Sequence, residues 1–191
     1  MENITFGFAM CGSFCTFSKV IPEMKKIVEA GYRVLPIMSQ TAYSTNTRFG
    51  QAEEIVRKVE DICGRPVIHT IVEAEPIGPK KMVDLMIVAP CTGNTLAKLA
   101  NGITDTSVTM AVKSTLRIGR PVLLAPATND ALSASAQNIG RLLNVKNIYF
   151  TPMRQDDPER KPYSINADFE QILPTALSAL EGKQRQPIYF L

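Results

Sequence analysis

A chain of 191 residues with 45% hydrophobic and 20% charged residues has the size and balance of one globular domain. Its 21 basic and 18 acidic residues leave a formal charge of +3, without a block of like charge that would act as a nucleic-acid-binding arm. The first residues, MENITFGFAMCGSF, lack the basic and long apolar regions of a signal peptide, and no apolar run reaches membrane-spanning length. We therefore expect a single cytoplasmic domain over residues 1–191 that binds neither nucleic acid nor a membrane.

Four scattered cysteines are too few for a secreted disulfide scaffold, and a reducing compartment would keep them as thiols. Cys11 and Cys15 form a C-x3-C pair, but no second pair of cysteines or histidines at zinc-ligand spacing accompanies them. His69 is the only histidine, which excludes mechanisms that need two. The sequence therefore predicts no metal site.

Short apolar runs alternate with amphipathic stretches of helical length, a pattern typical of β–α–β units and a parallel sheet. The predicted strands, of which the third is the weakest, cover residues 4–9, 33–38, 67–71, 84–89, 121–125 and 147–150. The predicted helices cover residues 16–30, 48–62, 94–101, 105–117, 130–144 and 167–181. The sequence thus predicts a three-layer α/β fold, Rossmann-like or flavodoxin-like, with a doubly wound parallel sheet of about six strands in the order 3-2-1-4-5-6.

Two proline-containing stretches interrupt this pattern, at residues 73–81 and 151–164. A recognisable element resumes after each, so we interpret both as excursions from a core of about residues 4–150 rather than as linkers. The second stretch is either a lid that closes over a site or a solvated loop of mixed charge, and composition alone favours the loop.

Polar residues follow four of the predicted strands at the point where each strand ends. They form the clusters Cys11–Ser13, Ser39–Thr41, Cys91–Thr95 and Pro126–Asn129. The carboxyl ends of parallel strands share one edge of the sheet, and ligands bind there, where the strand order reverses. We therefore expect the four clusters to line one crevice.

Gly12 and Ser13 open a helix after the first strand, and the backbone N–H groups and hydroxyl of such a turn suit a phosphate. The spacing of Gly7 and Gly12 is not the G-x-G-x-x-G fingerprint of dinucleotide sites, so a mononucleotide is favoured. Ser13, Thr16 and Thr92 are open to an alternative interpretation as ordinary helix caps. The convergence of four polar clusters on one edge favours the binding site.

Four segments carry a family resemblance: GSFCTFSK (12–19), SQTAYSTNTRFG (39–50), VDLMIVAPCTGNTLAKLANGITD (83–105) and APATN (125–129). The most specific pattern among them is APxxxNTLAKLAxGIxD, followed about twenty residues later by APxxN. With these motifs the chain resembles, over about residues 4–145, the homo-oligomeric FMN-binding flavoproteins, a family that includes the cysteine decarboxylases.

This resemblance implies a doubly wound sheet that binds FMN at an oligomer interface, with the phosphate at the first turn. The residues that it implies for the FMN site are Gly12, Ser13, Ser39, Thr41, Thr92, Asn94 and Thr95. It also implies that Asn129 faces the reacting molecule.

The chain departs from the decarboxylases at two places. Their histidine lies eight residues before the aspartate of the fourth strand, a position held here by Pro76, and His69 lies seven residues earlier still. We interpret His69 as a strand or loop residue. The sequence after Thr151 also lacks the Gly- and Cys-bearing flap of those enzymes. Cysteine decarboxylation is disfavoured, and a free-standing FMN-dependent decarboxylase or lyase is kept as an alternative.

A second resemblance extends over the whole chain, through EPIGPKKMVDLMIVAPCTGNTLAKLANGITD and TPMRQDDPERKPYSINADF. Over this length the chain resembles the B subunits of the two-subunit oxidoreductases with which endospore-forming bacteria make dipicolinate. It implies a partner, the A subunit, whose nucleotide-binding domain would carry NAD(P), and oxidation of a dihydrodipicolinate-type precursor in the mother-cell cytoplasm during sporulation. A non-catalytic subunit that completes the partner's site is a further alternative.

The implied reaction removes two hydrogens from a nitrogen ring with two carboxylates, so it needs a planar hydride acceptor such as FMN or a nicotinamide. Carboxylates are bound by arginine forks or helix N-termini. Besides Asn129, the candidate substrate-binding residues are therefore Arg154, Arg160 and Lys161. Cys11 and Cys91, at the ends of neighbouring strands, either touch the ligand or are small residues that let it approach the backbone. No catalytic residue is predicted.

Overall fold

The computed structural model describes residues 4–190 as a seven-stranded sheet with helices on both faces, which confirms the predicted fold class. Its strands are β1 (Thr5–Met10), β2 (Arg33–Met38), β3 (Leu85–Cys91), β4 (Val122–Thr128), β5 (Ile148–Phe150), β6 (Met153–Gln155) and β7 (Ile165–Ala167). Its helices are α1 (Phe17–Glu29), α2 (Gln40–Ser44), α3 (Ala52–Cys63), α4 (Ile71–Ala74), α5 (Gly93–Ala100), α6 (Ser107–Arg117), α7 (Ala136–Leu143) and α8 (Ile172–Leu180). Short 3-10 turns occupy Phe14–Thr16, Glu75–Ile77 and Phe169–Gln171.

The strands follow the order β2-β1-β3-β4-β7-β6, and β5 pairs with β4 beside that path. Strands β1 to β5 are parallel, whereas β7 runs antiparallel to both β4 and β6. Thr128, at the end of β4, lies opposite Ile165 of β7. The predicted parallel order is correct for β2, β1, β3, β4 and β5. The antiparallel hairpin of β6 and β7 was not predicted.

Residues 67–71 do not form the third strand that the sequence predicts. Ile68 makes one isolated parallel bridge to Ile37, and α4 then begins at Ile71. The Thr70 side chain accepts a hydrogen bond from the Glu73 N–H, and the Glu73 carboxylate accepts one from the Thr70 N–H. This reciprocal capping box starts a helix at the point where the predicted strand would continue.

The predicted helices are present, but three of them begin four or more residues later than predicted. Helix α3 begins at residue 52 rather than 48, α7 at 136 rather than 130, and α8 at 172 rather than 167. Helix α3 ends as predicted, because Gly64 caps it with a left-handed φ of 64° that costs glycine no steric strain.

The sheet is buried on both faces, and every residue of β1 and β3 is buried. Phe8, Phe17 and Ile172 belong to the core on one face, between the sheet and helices α1, α3 and α8. Val88 and Leu96 belong to the core on the other face, under α5, α6 and α7. Since both faces are packed, the turns that follow β1, β3 and β4 are held in fixed positions. Within residues 4–190, no helix combines the length and apolar character needed to cross a membrane.

Candidate functional site

A cavity of about 780 Å³, here called the central cavity, lies at the carboxyl ends of β1, β3 and β4. Its walls are the turn after β1, the start of α5, the end of β4, and the segment between β6 and β7. It is lined by residues 12–16, Phe49, residues 92–94 and 127–130, Asp156, Lys161, Ser164 and Asn166. The predicted site residues that it brings together are Gly12, Ser13, Thr92, Asn94, Asn129 and Lys161.

The predicted flavin residues Ser39, Thr41 and Thr95 do not line the central cavity. Ser39 caps α2, where its hydroxyl accepts a hydrogen bond from a backbone N–H. Thr41 is exposed on the same helix. Thr95 is buried, and its hydroxyl donates to the Cys11 sulfur at 3.2 Å. Thr41 lies beside Gly12, and Thr95 supports the turn after β1 through Cys11, whereas Ser39 serves the cap of α2.

A second cavity, of about 1000 Å³, adjoins the first and is here called the tail cavity because Tyr189 and Phe190 line it. The two cavities share Thr16, Asp156 and Asn166. Arg154 lines the tail cavity and makes no ion pair or hydrogen bond with any other described side chain. Arg160 lines neither cavity.

Most hydroxyl groups around the central cavity are bonded to the protein itself. Thr92 caps α5 by accepting a hydrogen bond from the Thr95 N–H at 3.3 Å. Thr128 and Ser135 both donate to Oδ1 of Asp130, the latter at 2.8 Å. The helix-cap interpretation is correct for Thr92, whereas the side chains of Ser13 and Thr16 form no such cap.

Three asparagine side chains differ from these hydroxyls, because they line the central cavity without a protein partner. Asn94, Asn129 and Asn166 lie there, and no hydrogen bond joins their carboxamides to another residue of 4–190. A carboxamide offers donors and an acceptor at one position, and none of these three is buried. The three carboxamides are therefore available to a ligand. Asn166 was not predicted as a site residue.

The start of α5 is packed tightly against the loop that follows β4. A Cβ atom on Gly93 would lie 2.6 Å from Thr128 Oγ1, 2.8 Å from Ser135 Oγ and 2.9 Å from Asp130 Oδ1. Only glycine leaves room for this approach. The Asp130 carboxylate consequently lies near the N-terminus of α5, where the helix dipole favours a negative charge.

Cys11 and Cys91 follow or end the neighbouring strands β1 and β3, and both are buried. Burial raises the pKa of the Cys11 thiol to about 11 and raises that of Cys91 well above its ordinary value. Both groups are therefore protonated thiols at neutral pH. Neither lines the central cavity, which supports their interpretation as small packing residues beneath the site.

Lys161 and Asp156 carry opposite charges on the wall of the central cavity, with Lys161 Nζ 3.1 Å from Asp156 Oδ2. Partial burial alone would raise the pKa of the Asp156 carboxyl, but hydrogen bonds from Ser164 and Lys161 outweigh burial and lower it. The hydrogen bond to Asp156 raises the pKa of Lys161. Both groups are therefore charged at neutral pH.

His69 and Pro76 both lie away from the central cavity. His69 is a loop residue rather than a strand residue, and its ring stacks on Tyr43 with centroids 3.9 Å apart. Pro76 lies in the 3-10 turn before β3. Neither position therefore supplies a histidine to the site. Within residues 4–190, no three side chains of His, Cys, Asp or Glu are grouped so that they could hold a metal ion.

Comparison with known proteins places this chain in a family. The family model described as Flavoprotein matches residues 1–170. The chain belongs to the flavoprotein family. It is similar to the dipicolinate synthase B subunit of Bacillus subtilis (strain 168), with 47% identity over 98% of this chain and 94% of that protein. The resemblance inferred from the sequence motifs is thereby confirmed.

Solved structures agree with this assignment. The crystal structure of the dipicolinate synthase B subunit from Bacillus halodurans matches with a TM-score of 0.91 and 42% identity, over 100% of this chain and 99% of that one. DmrB from Burkholderia xenovorans, solved in complex with FMN, matches with a TM-score of 0.64 and 20% identity, over 78% of this chain and 88% of that one. The second likeness shows a shared fold.

Proposed function

We propose that this chain binds FMN in the central cavity and acts as the B subunit of a dipicolinate synthase. With an A subunit, it would oxidise a dihydrodipicolinate-type precursor to dipicolinate. The observation that carries the proposal is the 47% identity with the Bacillus subtilis protein over 188 residues. An alignment of that length includes β7 and the segment between β6 and β7, which contribute Asn166, Asp156 and Lys161 to the cavity.

The residues of the central cavity fit FMN. The carboxamides of Asn94, Asn129 and Asn166 can pair with the donor and acceptor groups on the edge of a flavin ring. The Ser13 hydroxyl caps no helix, and its one side-chain contact within residues 4–190 is the exposed Cys15 sulfur at 4.0 Å, so it can turn to the phosphate together with the backbone of Gly12. A volume of about 780 Å³ is within the usual range of cofactor and ligand pockets. FMN, when bound, supplies a planar hydride acceptor.

We assign the substrate's two carboxylates to Lys161 in the central cavity and Arg154 in the tail cavity. Arg154 has no competing partner among the described residues, so binding a carboxylate there breaks no existing ion pair. A dicarboxylate that spans the boundary between the two cavities would meet both cations. Asn129 would then face its ring, and segment 151–164 would cover the substrate as a lid.

We further propose that the A subunit carries NAD(P), that the chain forms a homo-oligomer, and that the complex works in the mother-cell cytoplasm of a sporulating bacterium. The similar Bacillus subtilis protein is named as one subunit of an enzyme, which supports the existence of a partner. A free-standing decarboxylase is disfavoured because neither His69 nor the residue at position 76 supplies a histidine to the cavity.

Reconstitution tests this proposal. Dipicolinate formation is measured with this chain by itself, with the A subunit of the same organism by itself, and with the two together, each in the presence of FMN, NAD(P)+ or both. We expect product only when the two proteins are combined. Full activity of the A subunit without this chain would contradict a catalytic role for this chain, and product from this chain by itself would contradict the need for a partner.

A further inference from the structure

Asp130 contributes a carboxylate whose two oxygens have different surroundings. Its Oδ1 accepts hydrogen bonds from the hydroxyls of Thr128 and Ser135, and Ser135 is 3% exposed. Its Oδ2 receives no hydrogen bond from any other residue of 4–190, and Asp130 lines the central cavity. The Asp130 carboxylate is thus held in place through Oδ1, whereas Oδ2 can accept a proton or a hydrogen bond from a ligand.

The other carboxylates around the two cavities are bound to cations or lie farther away. Asp156 pairs with Lys161, and Glu23 pairs with Lys26 at 2.8 Å. The remaining acidic residues line only the tail cavity and are Asp168 and Glu170. Among the described residues, Asp130 is therefore the carboxylate of the central cavity that has no cationic partner.

We propose that Asp130 is the proton acceptor of the dehydrogenation, a role that rests on the proposed function of the chain. Aromatisation removes one hydride and one proton from the ring. One C–H bond breaks and its electron pair leaves with the hydrogen to an oxidised flavin or nicotinamide. A neighbouring C–H bond breaks as well, its electron pair forms the new ring π bond, and its proton passes to Oδ2 of Asp130.

A carboxylate is a strong enough base for this step. Departure of the hydride leaves positive charge on the ring, and that charge makes the neighbouring hydrogen acidic. Lys161 is protonated beside Asp156, and the thiols of Cys11 and Cys91 are buried away from the cavity, so none of these three groups can serve as the base. The Cys15 thiol also lines the cavity, but its one side-chain contact within residues 4–190 is the Ser13 hydroxyl at 4.0 Å, so unlike Asp130 it is not held in place by short hydrogen bonds. Asp130 then releases the proton to solvent.

The substitution Asp130→Asn in the reconstituted complex tests the role. An asparagine keeps an oxygen that accepts from Thr128 and Ser135, so the loop is preserved while the base is removed. We expect the substitution to lower kcat about 100-fold or more. The wild-type kcat should also decrease as the pH is lowered, and the variant should lack that decrease. Dipicolinate affinity, measured by calorimetry, should be unchanged or higher because a negative charge has been removed. Asp61→Asn, on the exposed face of α3, is the matched control with unchanged kcat.

Chemical rescue gives a second test that does not depend on the Asp130→Asn variant. Asp130→Ala leaves space where the carboxylate was, and added formate should raise its kcat at least tenfold, while formate should have no effect on the Asp61→Asn complex. No rescue of a folded, product-binding Asp130→Ala complex would overturn the role.

The outcomes separate this inference from the function on which it rests. A wild-type complex that makes no dipicolinate contradicts the proposed function. A wild-type complex that makes dipicolinate, together with an Asp130→Asn complex of equal kcat, overturns the proton-acceptor role alone. Loss of dipicolinate binding in Asp130→Asn also overturns it, since the residue would then act in binding or folding.

Discussion

The parallel part of the sheet and the antiparallel hairpin differ in length and burial, yet the central cavity needs both. Strands β1, β3 and β4 have six or seven residues and are almost entirely buried, whereas β6 and β7 have three residues each. The parallel part supplies Ser13, Asn94 and Asn129, and the hairpin segment supplies Lys161 and Asn166. We infer that the rigid part fixes the position of the cofactor and that the hairpin completes the site, with Asn166 for the cofactor and Lys161 for the substrate.

Gly93→Val alters the parallel part of the sheet and has the largest expected effect on stability. The new side chain would collide with the loop that carries Asp130. We expect the free energy of unfolding, measured in urea, to fall by about 1–3 kcal/mol because a close-packed wall cannot accept the added volume. FMN affinity should fall with it.

The control for this change is Gly140→Ala, in helix α7, where a Cβ atom would meet nothing within 4 Å. It should raise the free energy of unfolding by about 0.5–1 kcal/mol, because alanine favours a helix interior over glycine. Equal stabilities of Gly93→Val and the wild type would contradict the close packing at α5.

Asn94→Ala and Asn166→Ala compare the two regions directly, since one residue belongs to each. Each change should weaken FMN binding about fivefold to tenfold, the equivalent of one lost hydrogen bond, without changing the urea midpoint. Asn144→Ala, on an exposed residue outside both cavities, is the control. If only Asn94→Ala weakened binding, the hairpin would not contact the cofactor.

Arg154→Ala and Arg160→Ala test which arginine of the hairpin segment binds the substrate. Arg154 lines the tail cavity without a partner, whereas Arg160 lines neither cavity. Steady-state kinetics of the complex should show KM for the dicarboxylate raised about tenfold by Arg154→Ala, as for loss of a charged hydrogen bond, and little changed by Arg160→Ala. Equal effects of the two substitutions would contradict the placement of the substrate.

Asp156→Asn has the smallest expected effect, because its partner Lys161 is 57% exposed and solvent weakens the ion pair. The folded state lowers the pKa of the Asp156 carboxyl, so its contribution to stability is present above the ordinary carboxyl value of about 4 and is lost as pH falls through the lowered value. Thermal unfolding at pH 7, 5 and 3 should show the wild type more stable at pH 7 and 5 and equal to the variant in strong acid. A difference that did not shrink between pH 7 and strong acid would argue against the ion pair.

The sequence predicted the parallel part well because its strands and helices carry long, regular apolar patterns. The clusters after β1, β3 and β4 meet as expected, since parallel strands end at one edge. The wrong third strand had a visible competing signal: Thr70 and Glu73 have the spacing of a capping box. That local signal outweighed the short apolar run.

The hairpin could not be predicted from local sequence. Three-residue strands are too short to show a period of two, and their position is set by pairing between Thr128 and Ile165, which lie far apart in the chain. Asn166 belongs to no recognisable motif, so its place in the cavity depends on that pairing. Asp130 was missed for a related reason, because its partners Thr128 and Ser135 identify it only once the loop is folded.

Flavin uptake by the purified chain tests the central claim most directly. The absorption spectrum is recorded before and after addition of FMN and removal of the free flavin, with wild-type protein and with the Asn94→Ala, Asn166→Ala double variant. We predict a yellow wild-type protein that retains FMN after desalting, and a double variant that retains much less. A folded wild-type chain that stays colourless and takes up no added FMN would contradict the account.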